Sequence, residues 1–233
     1  MSKRRTRRRT RVAVATAFAA AALLTSVLPV HPAGAAGSDD AIERKAVLKA
    51  NDFPAGWEKQ ARRAPTASDL DVCAGIQAVN DDLVDASARS PEFVRPDTDN
   101  VRATNSVVVL KSAKAARGYL VPYREPDAVR CLETLTEASL TDAGYSAVGV
   151  YVVPHAVVPP GADEAAGFTI EITITAPATA TRPAQTAVIH KDVLVVRVGR
   201  ALAQFGFLSP TKALPEQGEL VDAVVGRLQD ALG

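Results

Sequence analysis

Apolar residues recur at helical intervals in the first and last parts of this chain and alternate with polar ones between them. Over residues 38–50, Ser38 as N-cap, Asp39 and Asp40 in the first turn, and Ile42, Ala46 and Leu48 as apolar contacts predict a helix. Phe53-Pro54-Ala55-Gly56-Trp57 then predicts a turn that sets the single tryptophan as a plug over the core. Ile76, Val79, Leu83 and Ala86 predict a short helix over residues 75–88, with Asp81, Asp82 and Asp85 on its solvated face. Residues 101–110, ending Val107-Val108-Val109-Leu110, predict a strand, after which Ser112 caps a helix running to Val121. Pro122 disfavours helix at the residue before it. A further helix from Pro126-Asp127 places Ala128, Cys131, Leu132, Leu135 and Ala138 on one stripe.

From Ser146 the period shortens to two. Residues 148–158 predict an extended stretch broken at Pro154. Residues 168–175 alternate strictly, with Phe168, Ile170, Ile172 and Ile174 on one side and Thr169, Glu171, Thr173 and Thr175 on the other. Segments 184–190, 192–198 and 200–208 predict further strands, joined by turns at Lys191-Asp192 and Gly199-Arg200. Connections this short require antiparallel pairing. After Pro215 the helical interval returns through Leu220, Val221, Val224, Val225, Leu228, Ala231 and Leu232, with Glu216 and Glu219 near the positive end of the dipole. The predicted class is α+β: an antiparallel β-sheet packed with helices, in a single domain over residues 36–233.

Charge changes the picture at the N-terminus. The formal net charge of the 233 residues is +1, yet residues 1–35 hold Lys3, Arg4, Arg5, Arg7, Arg8, Arg9 and Arg11 and no acid. Removing those seven from the 27 Lys+Arg leaves 20 against 26 Asp+Glu, so the remainder carries about −6. The cationic stretch, the uncharged run 12–30 and the A-x-A pattern Ala33-Gly34-Ala35 predict a cleaved secretory signal peptide over residues 1–35 and a secreted, extracellular product of the cell envelope. The rival reading is an uncleaved anchor, the only membrane attachment the sequence suggests; Thr16, Thr25, Ser26 and Pro29 weaken it. An acidic remainder with no Lys/Arg cluster beyond Arg62-Arg63 argues against nucleic acid as a partner.

Two cysteines, Cys73 and Cys131, remain, and an even count in an exported chain predicts a structural disulfide. A metal or redox pair would need Cys-x-x-Cys spacing or nearby histidines, which the sequence lacks, so no cofactor or metal is expected. The segment from Pro96 to Asn100 departs from a calcium loop at Val101 and Val108, and Asx turn chemistry accounts for it more simply. Catalysis finds little footing. His155 and His190 are the only histidines past the leader, and Gly144-Tyr145-Ser146-Ala147-Val148-Gly149 is one residue too long for a nucleophile elbow. The expectation is a non-enzyme. If a ligand binds, Thr169, Glu171, Thr173 and Thr175 offer hydroxyls and a carboxylate on a rigid strand; the same face also reads as the solvated side of an antiparallel sheet.

The order of several short pieces resembles the PknH-like extracellular sensor domain family. They are Phe53-Pro54-Ala55-Gly56-Trp57, Ser90-Pro91-Glu92-Phe93, Asn105-Ser106-Val107-Val108-Val109 with the Ala-rich helix after it, Cys131, and the run from Asp192 to Arg200 ahead of the last helix. The resemblance spans most of residues 40–232. It implies an antiparallel sheet with packed helices, an oxidising extracellular setting, and binding of an unknown small molecule or envelope component rather than catalysis. The chain departs from kinase-attached members in having no kinase domain and one pair of cysteines where they have two. No family functional residues carry over to it.

Overall fold

The computed structural model describes residues 38–62, 73, 81–96, 101–155, 157–181, 183–210 and 213–232. The predicted signal peptide, the Pro96–Asn100 turn beyond its first residue, and residues 74–80 lie outside that set. Among the described residues four α-helices and eight strands follow one another in chain order. These are α1 (Ser38–Ala46), β1 (Glu58–Gln60), β2 (Val84–Arg89), β3 (Glu92–Arg95), β4 (Val101–Leu110), α2 (Ala113–Leu120), α3 (Pro126–Asp142), β5 (Ala147–His155), β6 (Glu164–Ala176), β7 (Gln185–Val198), β8 (Ala201–Ser209) and α4 (Gln217–Leu232).

All strand pairs are antiparallel, in the order β1-β3-β4-β8-β7-β6-β5. β4 is long enough to serve two partners on one edge. Its start pairs with β3 and its end with β2, and the corner between them is tied by the Ser90 hydroxyl, which accepts from the Asn105 amide at 2.9 Å. The β7–β8 hairpin turns at Gly199-Arg200, where Gly199 adopts φ +57°, a left-handed value that favours glycine.

The strand period of two gives the sheet two apolar faces, and each has its own helices. One core joins Val108, Leu202, Val193, Val195, Phe168, Ile170, Ile172 and Ile174 to Leu120, Tyr123 and Leu132 of the α2–α3 region. The other joins Val107, Val109, Leu194, Val196, Ala203, Phe205 and Phe207 to Leu220, Val221, Val224, Val225 and Leu228 of α4 and to Ala46 of α1. The sheet is thus the middle layer of three. Each Phe or Ile removed from water in this way contributes about 2–3 kcal/mol. A bridge between Cys73 and Cys131, with Cα atoms 5.3 Å apart, fastens the segment at residue 73 to α3. The predicted α+β class and the disulfide are both present.

Several local expectations change. Residues 84–89 form strand β2 rather than the end of a helix, because the open edge of β4 accepts them; spacing over so short a window fits either period. Lys191-Asp192 makes no turn, and β7 runs through it unbroken from Gln185 to Val198. Both residues are buried, and the Asp192 carboxylate accepts the Thr169 hydroxyl across the strand pair, so a charged dipeptide read as punctuation is held by tertiary partners. The first helix stops at Ala46: Arg227 of α4 donates to the Ala46 and Val47 carbonyls and binds Asp52 at 2.8 Å, taking the place of another turn. On α3 the buried positions are Ala128, Leu132, Thr136 and Leu140, a strict four-residue step, and Ala138 faces out.

β5 continues through Pro154 and ends at His155, leaving Val157 and Val158 exposed beyond it. Proline is tolerated because β5 is the edge strand. The outward N–H of Val152 is met by the Glu133 carboxylate of α3 at 3.1 Å, and Pro154, two residues on, has no N–H to offer. Trp57 packs as expected over a core, its ring 4.8 Å from Phe53, which in turn lies 4.3 Å from Phe93. The Arg95 guanidinium sits 5.5 Å above the indole.

Candidate functional site

The α4 helix covers only part of its side of the sheet. That core reaches Leu194 on β7 and Ala165 on β6 and goes no further along either strand. Beyond those points the same face carries Thr169, Glu171, Thr173 and Thr175 from β6, so all four residues singled out by alternation do share one surface. Their backs are Phe168, Ile170, Ile172 and Ile174, each 3% exposed or less, which holds the strand rigidly in place.

Register supplies the neighbours. Thr169 faces Asp192 and donates its hydroxyl to Oδ1 at 2.5 Å. Glu171 faces His190 on one side and Tyr151 on the other, with His190 Nε2 3.8 Å from its carboxylate. Thr175 faces Thr186, the two hydroxyls 2.9 Å apart. Thr173 lies between Gly149 and Val188, neither of which offers a polar side chain. Gly149 also brings no side chain beside it, and Tyr151, one register step along on β5, is 65% exposed. The patch therefore presents a phenol, an imidazole, a carboxylate and hydroxyls on three adjoining strands.

Sequence reasoning selected the β6 members and missed Tyr151. The signal was present: Val148, Val150 and Val152 alternate with Gly149, Tyr151 and Val153, and only one set can face the core. His190 and Asp192 stand two apart on one strand and serve different partners across it. Gly167 positions β6 against β7. A Cβ there would come 2.0 Å from the Val193 carbonyl oxygen, so only glycine permits this approach. Among the described residues no group of three or more His, Cys, Asp or Glu is arranged to hold a metal ion, and no helix is long and apolar enough to cross a membrane.

No family model and no curated protein sequence matches the chain. Among solved structures, the extracellular domain of PknH from Mycobacterium tuberculosis aligns with a TM-score of 0.42 and 10% identity, over 87% of this chain and 100% of that one. The resemblance expected from the sequence reappears as a weak similarity of fold, which assigns neither family nor function.

Proposed function

We propose that the chain is a non-catalytic, sensor-like binding module that works outside the cytoplasm, and that the bare end of the β5–β6–β7 face is its contact surface. The observation that carries this reading is a rigid sheet face, polar and accessible, at the point where α4 stops covering it. The Cys73–Cys131 bridge supports an oxidising compartment. Thr173, Glu171 and Tyr151 would make the central contacts, with Thr169 and Thr175 held by their cross-strand partners at the margins. A ligand with hydroxyl or amide groups and a flat apolar side suits this set.

Native mass spectrometry of protein recovered from its host's medium tests the reading, comparing wild type with a Glu171→Gln/Thr173→Ala variant. Releasable extra mass in wild type that is lost in the variant supports it. Equal retention in both removes this face as the site. A second reading, partner binding without a small molecule, is favoured by the exposed apolar residues Tyr151, Val153, Val157 and Val158 along β5 and just past it. Bare wild-type mass, together with recovery in an envelope complex that Tyr151→Ser weakens, would decide for it.

A further inference from the structure

The opposite face of the sheet holds a second unusual feature. In one register row across three strands stand Arg89 of β2, Ser106 of β4 and Gln204 of β8, with Ser87 two residues from Arg89 on the same side. Ser106 and Gln204 are 2% and 3% exposed. The hydroxyls of Ser87 and Ser106 and both polar atoms of the Gln204 amide have no hydrogen-bond partner from the protein. Such groups are rare inside a fold, because hydration is lost and nothing replaces it. Here they lie side by side on adjoining strands, as a set.

A second guanidinium reaches the row. Arg62 donates to the Asn105 carbonyl at 3.1 Å, one residue from Ser106. Burial, with the nearby charge of Arg89 adding to it, brings Arg62 down to about 10, and burial also lowers Arg89. Glu92 acts in the other direction on Arg62, but its carboxylate already holds Arg102 at 2.8 Å. Two cations are therefore kept where burial disfavours them, beside neutral groups that both donate and accept.

We propose that this row is an internal site for a small molecule bearing an oxyanion, carboxylate or phosphate, with Arg62 and Arg89 as charge-assisted donors and Ser87, Ser106 and Gln204 binding its remaining polar atoms. The site lies on the face away from the β5–β7 patch and stands independently of it. The Ser106 hydroxyl and the Gln204 amide have almost no solvent contact, whereas Arg89 and Ser87 are half-buried, so an occupant would enter from the β2 side.

The test titrates the full chain, in chloride buffer, with inorganic phosphate and separately with acetate, following the backbone amide resonances of Ser106 and of residues 203 and 205 by NMR and the thermal midpoint. The expected result is a saturable shift with one probe, which also tells phosphate from carboxylate, weakened about ten-fold or more by Arg62→Ala and by Gln204→Leu. Ser106→Ala serves if Gln204→Leu fails to fold. No saturable shift with either probe, together with a more stable Gln204→Leu, identifies a merely water-filled row and overturns the proposal. A shift that survives both substitutions places the anion elsewhere and overturns it too.

Discussion

Replacing Glu43 by Gln should change how stability depends on pH. Glu43 lies on α1, is 5% exposed, and its Oε2 has no hydrogen-bond partner. Burial first, and then the neighbouring charges of Asp40 and Asp39 against a smaller opposing effect of Arg44, raise its pKa from 4.5 to about 7. The folded state thus holds this proton more tightly than the unfolded chain does. Below pH 4.5 the carboxyl is neutral in both states and costs nothing; as pH rises through about 7 the folded state loses stability, and above that the loss is complete. At about 1.4 kcal/mol per pKa unit the ceiling is roughly 3 kcal/mol, and partial solvent screening around Asp39 brings the expected loss to about 1.5–3 kcal/mol. Gln cannot ionise, but its amide also lacks a partner there, so Glu43→Gln can carry a constant offset. The diagnostic quantity is the difference between the two curves at pH 9 minus that at pH 4. Urea unfolding of both proteins at several pH values measures it, and thermal midpoints should separate by roughly 4–10 °C more at the alkaline end. Parallel curves would refute the reasoning.

Arg227→Ala should cost about 2–4 kcal/mol at neutral pH, since it removes the guanidinium donor from the Ala46 and Val47 carbonyls and leaves the Asp52 carboxylate with the Lys49 N–H but no counter-charge bonded to it. Burial works to raise the pKa of Asp52, but the Arg227 hydrogen bonds and the Lys49 backbone N–H outweigh it and hold it below its ordinary value. The wild-type advantage should accordingly shrink as pH falls through that depressed pKa, as measured by acid-dependent denaturation. Gly167→Ala should destabilise by about 3 kcal/mol in urea, because its Cβ meets the Val193 carbonyl oxygen. Cys131→Ser should lower stability by about 2–4 kcal/mol, from the loss of a link between residues 58 apart in sequence; an unchanged urea midpoint would show that the bridge constrains little. Glu133→Ala bares the outward N–H of Val152 on edge strand β5 and should raise self-association, read by light scattering behind size exclusion.

Alternation and helical spacing exposed most of this fold because the sheet is the middle layer and both periods are driven by burial. The Phe168, Ile170, Ile172 and Ile174 series and the Leu220 to Leu228 series each end in a core, as their spacing requires. Reading failed where a partner distant in sequence decided the outcome. Residues 84–89 are a strand because β4 has a free edge, and Asp192 is buried because Thr169 lies opposite. The helix after Ser38 ends where Arg227, 181 residues from Ala46, takes over the carbonyls. The β6 members of the exposed patch were legible from period alone. That α4 would stop short of them was not, since helix coverage depends on where the last helix crosses the sheet. The Arg89–Ser106–Gln204 row was invisible for a related reason: register across three strands is not written in any one of them.

The protein treats the edge and the face of its β5 end differently. At the edge, Glu133 meets the Val152 N–H and Pro154 has none, so an incoming strand finds no free backbone donor at these two positions. On the face, Tyr151, Glu171 and Thr173 are left open to solvent next to cross-strand pairs that fix their neighbours. Strand addition would recognise backbone and so accept many sequences, whereas side chains on a rigid face discriminate by shape and polarity. With the first route narrowed and the second open, the proposed contact surface would select its partner through side chains. Recognition there is expected to depend on the identity of Tyr151, Glu171 and Thr173 and to be insensitive to the β5 backbone.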